Sequence, residues 1–301
     1  MMTLQRNSIA SRPPEQVTVA GTGVTYRKVG NGRPLLLIHG WGGSSRHWLS
    51  TMANLADIRT IYALDLPGFG DSQPLAGVAS AECLANVVIE FADMLGVERF
   101  DLNGHSFGAG VAAYLAARWP TRVQNLMLTS FSIPRTAIER VLFAQMHQQM
   151  GLTLALWQPW LTAWQPWINV WQPWLALQWT TPPLPRLIAS RFFYRTPAED
   201  ELLREGVADL VQMDWRTALE SAASLGDPAI IGALSQIHAP TLIVAGRYDL
   251  IMPPSGTEIA AQITPNCRLA WIDRCGHVPM VEQPEAYHQA LRDFLSQANA
   301  A

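Results

Sequence analysis

Hydrophobic positions along this chain alternate between two periods. Short apolar runs at Leu35–His39, Thr60–Leu64, Phe100–Asn103 and Val123–Thr129 carry their apolar residues consecutively and read as buried strands. Between them lie stretches of helical period. In Ser80–Val97, Leu84, Val87, Val88, Phe91, Met94 and Leu95 recur on one face. The alternation resumes after Pro240, with a strand at Thr241–Ala245, a helix near Thr257–Ile263, a strand at Leu269–Ile272 and a helix at Glu285–Gln297. Strands of this kind separated by helices predict a parallel sheet covered on both faces. Val17–Val19 and Val24–Val29 flank Gly21-Thr22-Gly23 and predict an antiparallel hairpin at the sheet edge.

The rhythm breaks between residues 131 and 235. From Val141 to Pro185 no Asp, Glu, Lys or Arg occurs. This segment reads as a mainly helical cap inserted between two halves of one sheet. The division is then a core of residues 17–130 and 236–298, a cap of 131–235, and an N-terminal extension of 1–16. Within the cap a tetrapeptide repeats every seven residues: Trp157-Gln158-Pro159-Trp160, Trp164-Gln165-Pro166-Trp167 and Trp171-Gln172-Pro173-Trp174. The tryptophans step by three and four, as on a helical stripe. An interior proline costs a helix about 3 kcal/mol, so three of them predict short helical turns rather than one long helix. Three fates for the tryptophans follow: an acyl-chain lid over the active site, self-association into a homo-oligomer, or peripheral contact with a membrane surface. The lid is the leading expectation.

Composition narrows the class. At 301 residues, 49% of them hydrophobic, the chain is long and apolar enough for a folded core with an insertion. Twenty-one Lys and Arg against 24 Asp and Glu leave a net charge of −3, which excludes a nucleic-acid footprint. Only 15% of residues are charged, so much of the surface is neutral or covered. Cys83, Cys267 and Cys275 form neither a disulfide framework nor a metal-ligand spacing. With no apolar leader among the first 19 residues and no uninterrupted apolar span, the expected location is cytoplasmic.

The chemistry centres on Gly104-His105-Ser106-Phe107-Gly108, which follows a strand and precedes the Ala-rich stretch Ala109–Trp119. G-x-S-x-G between strand and helix is a nucleophile elbow. The serine must stand on a tight turn, and the glycines let strand and helix approach where a Cβ would clash. The helix N-terminus brings amide N–H groups to the place where an oxyanion develops. A serine hydroxyl needs an imidazole to take its proton, and the imidazole needs a carboxylate to hold it. His277 follows the strand Leu269–Ile272, and Asp249 follows Thr241–Ala245. Both therefore fall at carboxyl ends of parallel strands, on the rim expected for Ser106. Asp273 is the rival carboxylate, and His105 is expected to be structural.

Taken in order, His39-Gly40-Trp41-Gly42-Gly43, Asp65-Leu66-Pro67-Gly68-Phe69-Gly70-Asp71-Ser72, the elbow, Asp249 and Gly276-His277 resemble the α/β-hydrolase superfamily. The resemblance spans about Val17 to Gln297 outside the cap. It implies a mostly parallel eight-stranded sheet flanked by helices, with the lid inserted after the sixth strand. It also implies an oxyanion hole made by the backbone N–H groups of Trp41 and Phe107, with Asp65 shaping a loop. The H-G-W-G form is similar to that of small carboxylesterases, including those that cleave methyl esters of carrier-bound acyl chains. Dehalogenase and epoxide hydrolase relatives carry Asp where this chain has Ser106, which argues against alkyl-ester chemistry.

The expected activity is hydrolysis of a small hydrophobic carboxylic ester through an acyl-enzyme, with catalytic Ser106, Asp249 and His277, no cofactor and no metal. C–C bond hydrolysis or peracid formation on the same three residues is the alternative. A non-catalytic ligand receptor of the same fold is a third reading.

Overall fold

The computed structural model describes residues 8–297, apart from 182, 199 and 225–226. Eight strands form one sheet: β1 (Glu15–Val19), β2 (Thr22–Val29), β3 (Arg33–Ile38), β4 (Arg59–Leu64), β5 (Phe100–His105), β6 (Val123–Thr129), β7 (Thr241–Gly246) and β8 (Cys267–Ile272). Their spatial order is β1-β2-β4-β3-β5-β6-β7-β8. The β1–β2 and β2–β4 pairs are antiparallel, and every pair from β4 to β8 is parallel.

Successive residues of a strand face opposite sides, so an apolar run on a central strand must fill two cores. In β3, Leu36 and Ile38 join one cluster with Leu84, Val88 and Phe91 of α2 (Ala81–Met94) and Val111 and Leu115 of α3 (Phe107–Arg118). Leu35 and Leu37 join the other, with Met52 of α1 (Leu49–Leu55) and Tyr287, Leu291 and Phe294 of α11 (Pro284–Gln297). All four β3 side chains are fully buried, and each contributes about 1.5–3 kcal/mol. The predicted α2 stripe holds except at its end, where Met94 is exposed. The edge hairpin turns at Ala20-Gly21 rather than across Gly21-Thr22-Gly23. Ala20 and Gly21 both have positive φ, the two-residue turn whose twist matches a hairpin, and Thr22 already pairs with Val19.

Among the described residues, the helices between β6 and β7 are α4 (Ala137–Trp179), α5 (Leu184–Ala189), α6 (Asp200–Gln212), α7 (Trp215–Ala223) and α8 (Pro228–Leu234). The last of these returns to the core, where Ile230 and Leu234 are buried. The expectation of short proline-led turns is corrected here, because Pro159, Pro166 and Pro173 lie inside one 43-residue helix. Seven-residue spacing puts all three prolines on one side, so the lost hydrogen bonds fall there and the rest of the ladder continues. At 1.5 Å per residue α4 is about 65 Å long. After β7 the chain forms α9 (Pro254–Ile263), β8, a one-turn α10 (Pro279–Glu282) and α11.

Two buried histidines tie stability to pH. Burial lowers His288 of α11 from 6.5 to about 4, and lowers His39 beyond β3 as well. A base whose folded pKa is depressed is proton-poor relative to the unfolded chain. The stability it confers is therefore complete above about 6.5 and is lost as pH falls toward 4. We expect the thermal midpoint to drop steadily between pH 7 and pH 4.5, and His288→Gln to flatten part of that slope. A midpoint constant over this window would show that both imidazoles protonate without cost.

Candidate active site

Ser106 is the single residue between β5 and α3, and its backbone sits at φ 54° and ψ −117°. Positive φ in a residue with a Cβ is strained, so the surroundings must hold it. Its amide donates to Thr129 O at 2.9 Å, and its carbonyl accepts from Ala109 N at 2.9 Å. The flanking glycines are required by contact. A Cβ on Gly104 would lie 2.1 Å from Gly108 O, and one on Gly108 would lie 2.3 Å from His39 O. Below the turn, Asn103 Nδ2 donates to the Tyr287 hydroxyl at 3.0 Å, and Thr129 Oγ1 donates to Asn103 Oδ1 at 3.0 Å. Thr129 having used its proton, Tyr287 donates back to Thr129 Oγ1 at 2.9 Å. This closed ring of buried donors and acceptors fixes β5, β6 and α11 beneath the serine.

The two other sequence candidates converge on Ser106. His277 Nε2 lies 2.9 Å from Ser106 Oγ, and His277 Nδ1 lies 2.8 Å from Asp249 Oδ2. The second oxygen, Asp249 Oδ1, accepts from the amides of Ile251 and Met252, each at 2.8 Å. The carboxylate is thus clamped by its own loop, with one oxygen left for the imidazole. A proton on Nδ1 held by Asp249 leaves the Nε2 lone pair facing the serine hydroxyl. Asp273 takes no part. It is exposed and pairs with Arg247 at 2.6 Å.

His105 is structural in a more specific sense than expected. Its ring packs on that of His277 with centroids 4.9 Å apart, and its Nε2 donates to His277 O at 2.8 Å. Burial, and next the neighbouring His277, hold His105 far below the usual imidazole range. It stays neutral and supports the loop. Asp65 shapes a loop as anticipated, accepting from Ser45 N at 2.6 Å and from Asp71 N at 3.0 Å.

Several contacts from the inserted segment were not legible in the sequence. His277 N donates to Phe192 O at 2.6 Å, while Glu282 accepts from Gly276 N and Tyr194 N, each at 2.7 Å. Burial raises the Glu282 carboxyl above its ordinary range, against the lowering effect of those amides. Trp41 Nε1 donates to Ala218 O and to Ser221 Oγ of α7, each at 3.1 Å. Buried Asp209 of α6 accepts from Ser44 Oγ at 2.6 Å and pairs with Arg46. A lone Glu or Asp on a helix carries no signal of such distant partners, since Tyr194 lies 88 residues from Glu282 and Ser44 lies 165 from Asp209.

A cavity of about 330 Å³ opens between these parts, walled by Trp41 and Val278 from the core side and by Phe192, Leu203, Val207 and Leu210 from the insertion. Its wall is not uncharged, since Arg46, His47, Glu205 and Asp209 also reach it. The lid expectation for the tryptophans is corrected as well. Trp160, Trp167 and Trp174 are exposed, and no tryptophan of α4 lines the cavity.

A serine, an imidazole and a carboxylate joined at the carboxyl edge of a doubly covered parallel sheet place the protein among the hydrolases. The family model described as the alpha/beta hydrolase fold matches residues 33–284, and the chain belongs to that family. It is 28% identical to a pimeloyl-[acyl-carrier protein] methyl ester esterase of Neisseria meningitidis serogroup C over 87% of this chain and 93% of the relative. It is also 28% identical to a 2-hydroxymuconate semialdehyde hydrolase of Pseudomonas putida over 95% of each chain. A shorter match, 46% identical, joins 37% of this chain to 30% of a dihydrolipoyllysine-residue acetyltransferase component of the acetoin cleaving system of Cupriavidus necator. The chain therefore spans less than a third of that relative's length. Among solved structures, one described as a membrane phospholipase A superposes with a TM-score of 0.72 at 26% identity, over 99% of this chain and 90% of its own.

Proposed function

We propose that the protein hydrolyses a carboxylic ester with an apolar acyl part, using Ser106 as nucleophile, His277 as base and acid, and Asp249 to orient His277. The observation that carries this reading is the unbroken hydrogen-bond chain from Ser106 Oγ through His277 to Asp249, at 2.9 and 2.8 Å. As Ser106 Oγ bonds to the ester carbonyl carbon, its proton passes to His277 Nε2 and the carbonyl electrons move onto oxygen. The backbone N–H groups of Trp41 and Phe107 receive that oxyanion. Phe107 opens α3, where amides have no partner within the helix and the dipole is positive. Collapse of the tetrahedral intermediate expels the alcohol with the proton from His277. Water then repeats the sequence on the acyl-enzyme, releasing the acid and restoring the serine.

We assign the acyl group to the cavity of about 330 Å³, which falls at the lower end of the range for small-ligand pockets; Ser106 and His277 do not line it, and it adjoins them through Trp41 and Val278, the residue after His277. The inserted segment acts as a cap, forming one wall of this cavity and holding the His277 loop through Phe192 and Glu282. The three cysteines are free, which suits action in the reducing cytoplasm. A second reading, hydrolysis of a C–C bond beside a ketone by the same three residues, is favoured by the similarity to the 2-hydroxymuconate semialdehyde hydrolase over 95% of both chains.

A fluorophosphonate probe tests the shared chemistry. Wild type should gain one covalent phosphonyl group, located on Ser106 by peptide mass analysis, and Ser106→Ala should gain none. An unlabelled, folded wild type would sink both readings. Turnover of p-nitrophenyl esters against that of a vinylogous 1,5-diketone then separates them.

A further inference from the structure

The tryptophan repeat has no place in the chemistry above, and the structure leaves it facing outward. Trp157, Trp160, Trp164, Trp167, Trp171 and Trp174 are between 54% and 64% exposed, an apolar stripe far larger than single exposed side chains on a soluble surface. Gln172, on the repeat itself, donates to Val211 O and Met213 O at the end of α6, so the helix is docked on the insertion and its tryptophan side is left over. Exposed Val141, Leu142, Met146, Leu152 and Leu156 extend the apolar surface toward the start of α4. Among the described residues no helix is long and apolar enough to cross a membrane.

Charge bears on what covers this surface. In sequence, the uncharged stretch from Val141 to Pro185 is flanked by Arg135, Glu139 and Arg140, of which Arg135 and Glu139 pair at 3.1 Å and Arg140 is left over, and by the exposed Arg186, Arg191 and Arg195. Both sequence flanks are therefore net positive, and the next carboxylate along the chain is Glu199. A second copy of the helix, packed parallel or antiparallel, would set positive ends against positive ends. An anionic lipid surface meets both ends with the opposite sign. Tryptophan suits the same surface, because its ring prefers the boundary where its body is in hydrocarbon and its N–H stays wet. We propose that the tryptophan face of α4 docks on a bilayer surface bearing anionic headgroups, seated by the indoles and held by the flanking arginines. The geometry links this to the cavity, since α5 follows α4 directly and α6, on which α4 packs, supplies Leu203, Val207 and Leu210 to the cavity wall.

Co-sedimentation with vesicles tests this without reference to activity. Wild type should bind vesicles of phosphatidylglycerol and phosphatidylcholine, bind pure phosphatidylcholine at least tenfold more weakly, and be released by high salt. Replacing Trp160, Trp167 and Trp174 with Ser should lower binding to the anionic vesicles at least tenfold. Neutralising Arg186, Arg191 and Arg195 to Gln should erase most of the preference for phosphatidylglycerol, each arginine near the surface being worth roughly fivefold. Retained fluorophosphonate labelling would show that both variants are folded. Failure of wild type to bind either vesicle would overturn the proposal. So would a concentration-dependent dimer that the serine variant converts to monomer while vesicle binding is unchanged, which would assign the face to a second copy.

Discussion

Asp249→Asn is expected to lower kcat about 10⁴-fold while leaving the fold intact. The amide would keep an oxygen for the amides of Ile251 and Met252, which now bind Asp249 Oδ1 at 2.8 Å, so the loop retains its shape. Its NH₂ group would then face His277 Nδ1 where a carboxylate oxygen now lies at 2.8 Å. Two donors cannot share that contact. The imidazole responds by moving its proton to Nε2, which then points an N–H at Ser106 Oγ and cannot accept the hydroxyl proton. The substitution also removes the anion that stabilises the imidazolium formed during attack. Asp273→Asn is the matched control. Asp273 is 77% exposed and its pairing with Arg247 is a surface ion pair, so its loss should change stability by less than about 1 kcal/mol and kcat hardly at all. Circular dichroism and ester turnover on both variants check the assignment. Equal losses of turnover would mean that the imidazole is held by something other than Asp249.

The three residues of that chain were legible because each stands at the carboxyl end of a strand whose apolar run marks it, and strand ends in a parallel sheet share a rim. The strands were legible for the same reason, though their starts were not. Arg33, Pro34 and Arg59 open β3 and β4 with residues that read as loop. The edge turn was displaced because Gly21 and Gly23 both look like turn residues, whereas the conformation is set at Ala20, a residue with no turn preference. In α4 the local rule that proline breaks a helix was outweighed by spacing, which keeps the interruptions on one side. What the sequence hides are pairings over long separations. Glu282 with Tyr194, Trp41 with Ser221, and Asp209 with Ser44 join the insertion to the core, and none has a local pattern. These contacts shape the cavity and hold the histidine loop. Under the proposed function, substrate choice is therefore written where single-chain patterns say least.

The largest loss of stability should come from Asp101→Ala, far from the reacting atoms. Asp101 is the second residue of β5 and is fully buried, as is Arg59 at the start of β4. Arg59 Nε donates to Asp101 Oδ2 at 2.7 Å, and Asn125 Nδ2 donates to Oδ1 at 2.6 Å. The guanidinium also donates to Ile58 O at 2.9 Å and Leu295 O at 3.3 Å, closing the amino-terminal end of the sheet against α11. Removing the carboxylate leaves a buried cation without its counter-charge and deprives the Asn125 amide of its acceptor, at a cost of about 3–5 kcal/mol. That is a large share of the roughly 5–15 kcal/mol that holds an ordinary domain folded. Replacing both charges together, Arg59→Met with Asp101→Leu, should cost much less, because most of the single-variant penalty is the stranded charge rather than the lost attraction. Ser106 stands at the opposite, carboxyl end of β5, so kcat measured well below the thermal midpoint should stay near wild type in both variants. Urea unfolding of the single and double variants supplies the comparison. A double variant as unstable as Asp101→Ala would show that the ion pair itself, and not its desolvation, holds that end of the sheet.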